Sequence, residues 1–360
     1  MDALSIDSPV ERVVIQKGSQ TGGTEAGNNW LGYVIDHAPA SMMLVMPTVD
    51  LGRRSSKQRI DPMIESTPAL SARVKEARER DSGNTTFAQQ FPGGLLIITG
   101  ANSAAGLRST PARYLFLDDV DAFPGDVEGE GDPVLLAERA ARTFANRKVL
   151  IVSTPTIEGR SRIAREFNDT DRSYLHVPCP SCGELQRIFW RSIRYPDGPA
   201  SAYMECEHCK AHVEETRKTW MLANSVWVPE DPKLSHRARG FFLPALYSPL
   251  GWYSWREAAE LFEKSKGRSE TLRVFINTVL GETFTESGEA PEWKTLYNRR
   301  ERYTIGIVPK GAVVLTAGFD IQKDRIEGEV VGWGAGLESW SVDYRVFPGD
   351  PASTDDPWKL

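Results

Sequence analysis

The chain has 360 residues, enough for two or three domains with sizeable cores. Its 40% hydrophobic and 26% charged content is ordinary for a globular protein, and no stretch has the length and apolarity of a membrane span. The net charge of −6 excludes a uniformly basic coat for nucleic acid and leaves room for a local basic groove. Residues 1–10 lack both a basic n-region and an apolar h-region, so the expected compartment is the cytosol.

Residues 13–15, Val-Val-Ile, suit a buried parallel strand. Lys17, Gly18, Ser19, Gln20, Thr21, Gly22, Gly23 and Thr24 follow as a tight loop whose backbone N–H groups turn inward, a geometry that suits phosphate. A helix starting near Thr24 carries Ala26, Trp30, Leu31, Val34 and Ile35 on one apolar face, so its N-terminal dipole points at the same anion. The pattern G-x-x-x-x-G-K-[ST] is met only in part, because Gly23 stands in the lysine's place and Lys17 in that of the first glycine. Phosphate transfer needs a cation near the β- and γ-phosphate oxygens. Lys17 is therefore expected to supply it from the start of the loop, with Thr24 as the hydroxyl for Mg²⁺. The competing reading is a plain structural turn between strand and helix.

Residues 41–47 form a second short apolar run ended by proline, and a helix from 48–50 then bears Arg53, Arg54, Lys57 and Arg59. That cluster either faces phosphate or is a solvated helix face. Residues 85–90 and 94–100 read as a hairpin or two neighbouring strands, followed by a small, polar run at 102–109. The strand 114–117 runs straight into Asp118, Asp119 and Asp121, which places carboxylates at the C-terminal edge of a parallel sheet, where ligands of open α/β folds bind. Asp118 is expected to hold Mg²⁺ and Asp119 to orient or deprotonate the attacking water, with Asp121 as its substitute. A helix over 132–144 and a strand over 148–152 follow. The strand ends in Ser153 and Thr154, placed either to sense the γ-phosphate or to terminate the strand. This alternation over 13–156 predicts a parallel α/β sheet.

All four cysteines lie in two C-x-x-C pairs, Cys179 with Cys182 and Cys206 with Cys209. Two such knuckles give four thiolates for one closed tetrahedral site, a zinc ribbon with structural zinc; His208 and His176 are the substitute ligands. Glu205, Glu207, Glu214 and Glu215 around it disfavour DNA contact by the ribbon itself. The aromatic-rich stretch 239–278 reads as core and inter-domain packing, and 287–291 and 308–311 as linker. Strands over 312–320, 325–332 and 338–347 then open a new sheet, the first ending in Asp320. They resemble the start of an RNase H-like nuclease, which needs several carboxylates to hold two metals; only Asp320 is well placed.

Taken together, residues 17–25, 47–50, 56–62 (Ser-Lys-Gln-Arg-Ile-Asp-Pro), 117–121, the ribbon cysteines, 240–242 and 318–322 resemble the lambda-type phage terminase large subunit over nearly the whole chain. The resemblance implies an α/β protein: a P-loop NTPase sheet of the ASCE type over 1–172, a zinc-ribbon insert over 173–232, a connector over 233–306, and the N-terminal part of an RNase H-like endonuclease over 307–360. It implies a motor in the host cytoplasm that uses ATP and Mg²⁺ to drive double-stranded DNA into a procapsid. Its partners would be a small terminase subunit, the portal protein and further copies of itself, and its nuclease would cut concatemers. The family's displaced lysine falls on Lys17, its Walker B aspartate on Asp118, its catalytic glutamate on Asp119 and its first nuclease aspartate on Asp320. Arg108 is the candidate arginine finger. Few residues precede the first strand and little follows Asp320, the pattern expected of a fragment lacking most of the base-contacting N-terminal segment and most of the nuclease. Two other readings are a helicase-like P-loop ATPase and a non-catalytic zinc-ribbon assembly module with a degenerate loop.

Overall fold

The computed structural model describes residues 2–74, 87–108, 110–286, 297, 298, 300, 301, 303–322 and 324–350. The chain divides into two compact units, Met1–Glu286 and Ser287–Leu360. The expected linker at 287–291, Thr85 and Thr86 of the expected hairpin, and Ser109 lie outside the described residues.

Among the described residues the first unit opens with seven strands, of which 42–46, 114–118 and 148–153 are buried on both faces, as the centre of a parallel sheet requires. They are β1 (Arg12–Lys17), β2 (Met42–Met46), β3 (Ala88–Phe91), β4 (Gly94–Gly100), β5 (Tyr114–Asp118), β6 (Lys148–Ser153) and β7 (Ser173–Pro178). Four short strands follow in the ribbon: β8 (Leu185–Gln186), β9 (Ile193–Arg194), β10 (Tyr203–Glu205) and β11 (His212–Val213). The chain then returns to the main sheet with β12 (Val226–Pro229) and β13 (Ala238–Leu243). The sheet order is β12-β7-β13-β1-β6-β5-β2-β4-β3. From β7 to β4 all neighbours are parallel, and β12 and β3 close the two edges antiparallel.

Register decides what meets at the sheet's edge. Lys17 pairs with Leu243, Gln16 with Ser153, and Asp118 with Val152, so β1, β5 and β6 end at one level. Open α/β sheets bind ligands at that carboxyl edge. The strand next to β1 on its other side, β13, lies within the stretch read from sequence as connector, and β7 and β12 flank the ribbon while belonging to the main sheet.

Helix α1 (Gly23–Asp36) starts directly at the loop and buries Trp30, Leu31, Val34 and Ile35 completely, as its periodicity predicts, whereas Ala26 is half-buried. Its approach to the sheet depends on Gly27, where a Cβ would meet the Phe116 ring at 2.0 Å. Helix α2 (Val49–Ser55) is capped by Thr48, whose Oγ1 accepts from Leu51 N at 3.2 Å. The helix expected over 132–144 spans Pro133–Ala141, with Asp132 capping Val134 and Leu135. Of the aromatic stretch, Trp255 and Phe275 are core residues and Phe262 and Phe275 pack with Trp190 at 4.9 to 5.2 Å, whereas Trp252 is exposed.

The second unit has its own antiparallel sheet, β14 (Val314–Ile321), β15 (Arg325–Trp333) and β16 (Ser339–Pro348). Among the described residues no helix is long and apolar enough to cross a membrane.

Placing a methyl group at Gly27 pushes α1 off β5. Gly27→Ala is expected to destabilise the first unit by about 1–3 kcal/mol, read as a lower urea midpoint with an unchanged slope.

Candidate functional site

The loop after β1 turns tightly through two left-handed residues, Gln20 at φ 55° and Gly22 at φ 82°. Thr21 Oγ1 donates to Gly18 O at 3.2 Å and Ala26 N donates to Gly22 O at 2.9 Å, so the loop passes without a break into α1. The outer side of the loop is braced from far along the chain. Ser19 N donates to Thr278 O at 2.7 Å and Gln16 Nε2 donates to Gly281 O at 2.8 Å. Gly18 has to be glycine because a Cβ would meet Thr278 O at 2.7 Å and Ala245 N at 2.8 Å. Sequence reading missed this brace, and no local signal at 278–281 points back to a loop so distant in the chain.

Lys17 and Gly23 fill one space between them. A Cβ on Gly23 would lie 2.5 Å from Lys17 Cδ and 2.9 Å from Lys17 Cε. The lysine therefore runs over the position from which a lysine in the usual pattern would start. It borders an open hollow of about 300 Å³ together with Ser19, Gln20, Thr24, Asp118, Asp119, Ser153 and Thr154. Burial pushes the Lys17 ammonium below the usual lysine range, against the opposing pull of the Asp118 and Asp119 carboxylates.

Thr24 Oγ1 donates to Asp118 Oδ1 at 3.1 Å, joining the helix start to the end of β5. Burial pushes the Asp118 carboxyl up to about 6, while the Thr24 hydrogen bond and the Lys17 charge hold it down. A carboxylate in that position is one that an arriving cation returns to its charged form, and a hydroxyl beside it adds a second oxygen ligand. The donor set fits a hard divalent ion.

Asp119 takes a left-handed conformation, φ 61° and ψ 51°, with its N–H donating to Val152 O at 2.7 Å. Ser153 Oγ donates to its Oδ1 at 3.3 Å, which brings the ends of β5 and β6 together. Asp121 is used elsewhere, accepting from Ile163 N at 2.6 Å and from Thr156 Oγ1 at 2.8 Å.

Arg108 is not among the residues that border the hollow. Arg108 is exposed and paired with Glu130 at 2.8 Å. Asp320, in the second unit, sits on the exposed strand β14 opposite Glu327. Of the basic cluster, Arg53 pairs with Asp50, and Arg59 carries its charge close enough to help lower Asp118. On the α1 face of the sheet a separate apolar hollow reaches the loop at Thr21 and Gly22, walled by Leu4, Ile15, Trp227 and Phe241.

The four cysteines converge, with all their sulfurs within 4.8 Å of one another. Cys179 to Cys209 and Cys182 to Cys206 are each 3.9 Å between sulfurs. A tetrahedral thiolate site with metal–sulfur bonds of about 2.3 Å has edges of about 3.8 Å, so the spacing fits. Gly183 N donates to Cys179 O and Lys210 N to Cys206 O, both donors left-handed, and Gln186 Nε2 reaches Cys206 Sγ at 3.4 Å. Neither His208 nor His176 belongs to the cluster.

The family model for the phage terminase large subunit gpA, ATPase domain, matches residues 1–227, and that for the terminase large subunit gpA, endonuclease domain, matches residues 238–360. The large terminase subunit of Escherichia phage lambda is 27% identical over 374 residues, covering 97% of this chain and 58% of that protein. The corresponding subunit of Enterobacteria phage P21 is 28% identical over 372 residues, covering 95% of this chain and 57% of that protein. The chain thus spans little more than half the length of these relatives. Among solved structures, the HK97 bacteriophage large terminase aligns with a TM-score of 0.46 at 13% identity, covering 94% of this chain and 59% of that one. The Thermus phage P74-26 large terminase ATPase domain aligns with a TM-score of 0.44 at 14% identity, covering 78% and 92%.

Because Gly23 and Lys17 share one space, Gly23→Ala is expected to expel the lysine and weaken nucleotide binding by roughly tenfold or more, with the fold retained. Titration with a fluorescent nucleotide, alongside circular dichroism, measures both.

Proposed function

We propose a function from one premise: the chain belongs to the gpA family of phage terminase large subunits. On that premise the first unit is an ATPase that drives double-stranded DNA into a procapsid, and the second unit contributes the opening strands of the endonuclease that cuts concatemeric DNA. The observation that carries this reading is the meeting of Lys17, Thr24 and Asp118 around one hollow at the carboxyl edge of the sheet.

In this reading the loop amides and Lys17 hold the β- and γ-phosphates of ATP. Thr24 and Asp118 hold Mg²⁺, which when bound neutralises the phosphate oxygens. Asp119 orients or deprotonates the attacking water, and Ser153, hydrogen-bonded to it, sets the carboxylate's direction. Thr154, at the same rim, senses the γ-phosphate. The apolar hollow walled by Trp227 and Phe241 offers an apolar surface for the base. Arg108 is exposed, in a surface ion pair with Glu130 that it would exchange for a nucleotide on a neighbouring copy, as an arginine finger in an oligomeric motor requires. Asp320 is the first carboxylate of the nuclease metal site.

The four cysteines bind structural zinc and hold the ribbon's two knuckles together. The partners are double-stranded DNA, the small terminase subunit and the portal of the procapsid, met in the host cytoplasm.

Two measurements test this. Purified protein is expected to hydrolyse ATP at low salt, to do so faster with double-stranded DNA, and to lose the stimulation as salt rises, because phosphate contacts release counterions. Lys17→Ala is expected to abolish turnover. Absence of turnover with DNA at low salt, or full turnover in Lys17→Ala, contradicts the assignment. Separately, one zinc per chain is expected by elemental analysis. Cys206→Ser is expected to lose it and to unfold the ribbon at a lower temperature than the sheet.

A further inference from the structure

The turn that leaves β5 carries more polar bracing than a strand end needs. Asp119 occupies the left-handed region, which is strained for a non-glycine residue and persists only where neighbours enforce it. Asp119 itself is held by Val152 O and Ser153 Oγ, and the turn directly after it is held by a residue with no place so far in the site. Arg162, at the start of the helix Arg162–Asn168, is nearly buried, its side chain 10% exposed. Its Nη1 donates to Val120 O at 2.7 Å; its Nη2 donates to Pro124 O at 3.1 Å and to Asp132 Oδ2 at 2.8 Å. The next residue's amide, Ile163 N, donates to Asp121 Oδ1, and Asp121 Oδ2 accepts from Thr156 Oγ1.

Residues 120–124 are therefore gripped at three points, immediately after the carboxylate that borders the hollow. We propose that Arg162 is a positioning residue for Asp119: its guanidinium fork fixes the turn so that the Asp119 carboxylate is held towards the phosphate end of the hollow. This inference rests on the ATPase reading given above.

A planar fork is what the arrangement uses. The acceptors are three carbonyls, of Val120, Phe123 and Pro124, and the Asp132 carboxylate, in different directions, and an ammonium on a flexible stem does not span them, although it keeps the charge that neutralises Asp132. Burial of an unpaired guanidinium would be costly, and Asp132 removes that cost while also capping the helix Pro133–Ala141. A purely architectural ion pair would need only Asp132; the bonds to Val120 and Pro124 carry the grip to the turn.

The test is steady-state ATP hydrolysis by the whole chain with DNA. Arg162→Lys is expected to lower kcat roughly tenfold or more while KM for ATP stays within about twofold, since the phosphate loop is untouched. Thr156→Val, which removes one hydroxyl from the other side of the same turn, gives a smaller fall with the same split and guards against a folding failure of the arginine variant. In an Asp119→Asn background, adding Arg162→Lys is expected to cost nothing further, because the group being positioned is already gone. A wild-type kcat in Arg162→Lys overturns the proposal, and so does a loss that multiplies with Asp119→Asn. If the unsubstituted protein shows no turnover in this assay, the ATPase reading falls and this proposal with it. If the unsubstituted protein is active and either of those results appears, only Arg162's role is lost.

Discussion

The side chain of Lys17 lies in the space that Gly23 leaves empty, and the rest of the first unit is arranged to make that possible. A strand must deliver the lysine at its last residue, a loop must turn back within a few residues, and a helix must begin with a residue that has no Cβ. Each requirement shows in the chain: β1 ends at Lys17, Gln20 and Gly22 turn left-handed, and α1 opens on Gly23. The loop's other glycine, Gly18, meets a different constraint, the backbone carbonyl of Thr278 that braces it from outside. An ammonium brought in this way stands at the rim of the hollow where Asp118 and the exposed Asp119 also stand, and burial of Lys17 and Asp118 sharpens the electrostatics that a phosphate and its counter-cation would meet.

The sheet's order does the rest. With β6 between β1 and β5, the ends of three strands present a loop, a pair of carboxylates and a pair of small hydroxyl residues at one edge. The hydrogen bonds from Thr24 to Asp118 and from Ser153 to Asp119 cross between elements that the chain reaches far apart, so the hollow is a product of register and not of any one motif. The ribbon is a separate solution to a separate problem. Its strands are two or three residues long, and its four cysteine sulfurs converge beside a core cluster that includes Ile188, Ile193, Met204 and Val213.

Much of this was legible from residues alone because the signals are local. Apolar runs marked β1, β2, β4, β5 and β6, the glycines marked the loop, and paired cysteines marked the ribbon. The exchange of lysine and glycine was visible as a broken pattern, though its cause, one shared volume, needed side-chain positions. What stayed hidden depends on long-range pairing. Residues 238–243 read as the start of an aromatic connector, yet they lie beside β1, because a parallel neighbour leaves no mark on local periodicity. The carbonyls of Thr278 and Gly281 that brace the loop carry no side-chain signature at all. Asp121 read as a substitute for Asp119, but its oxygens are taken by Ile163 and Thr156, which only the fold brings near. Arg162 drew no attention in sequence, since a lone arginine at a helix start looks like any other.

The central claim is that Lys17 does from the end of β1 what a lysine at position 23 does in the usual loop. The most direct measurement is ATP hydrolysis by the double variant Lys17→Ala/Gly23→Lys, compared with Lys17→Ala alone. If the two positions serve one space, the lysine restored at position 23 enters the volume vacated at 17, and part of the lost turnover returns. A double variant as inactive as the single, though folded and able to bind nucleotide, would show that the shared space is coincidence and that the loop's cation acts in some other way.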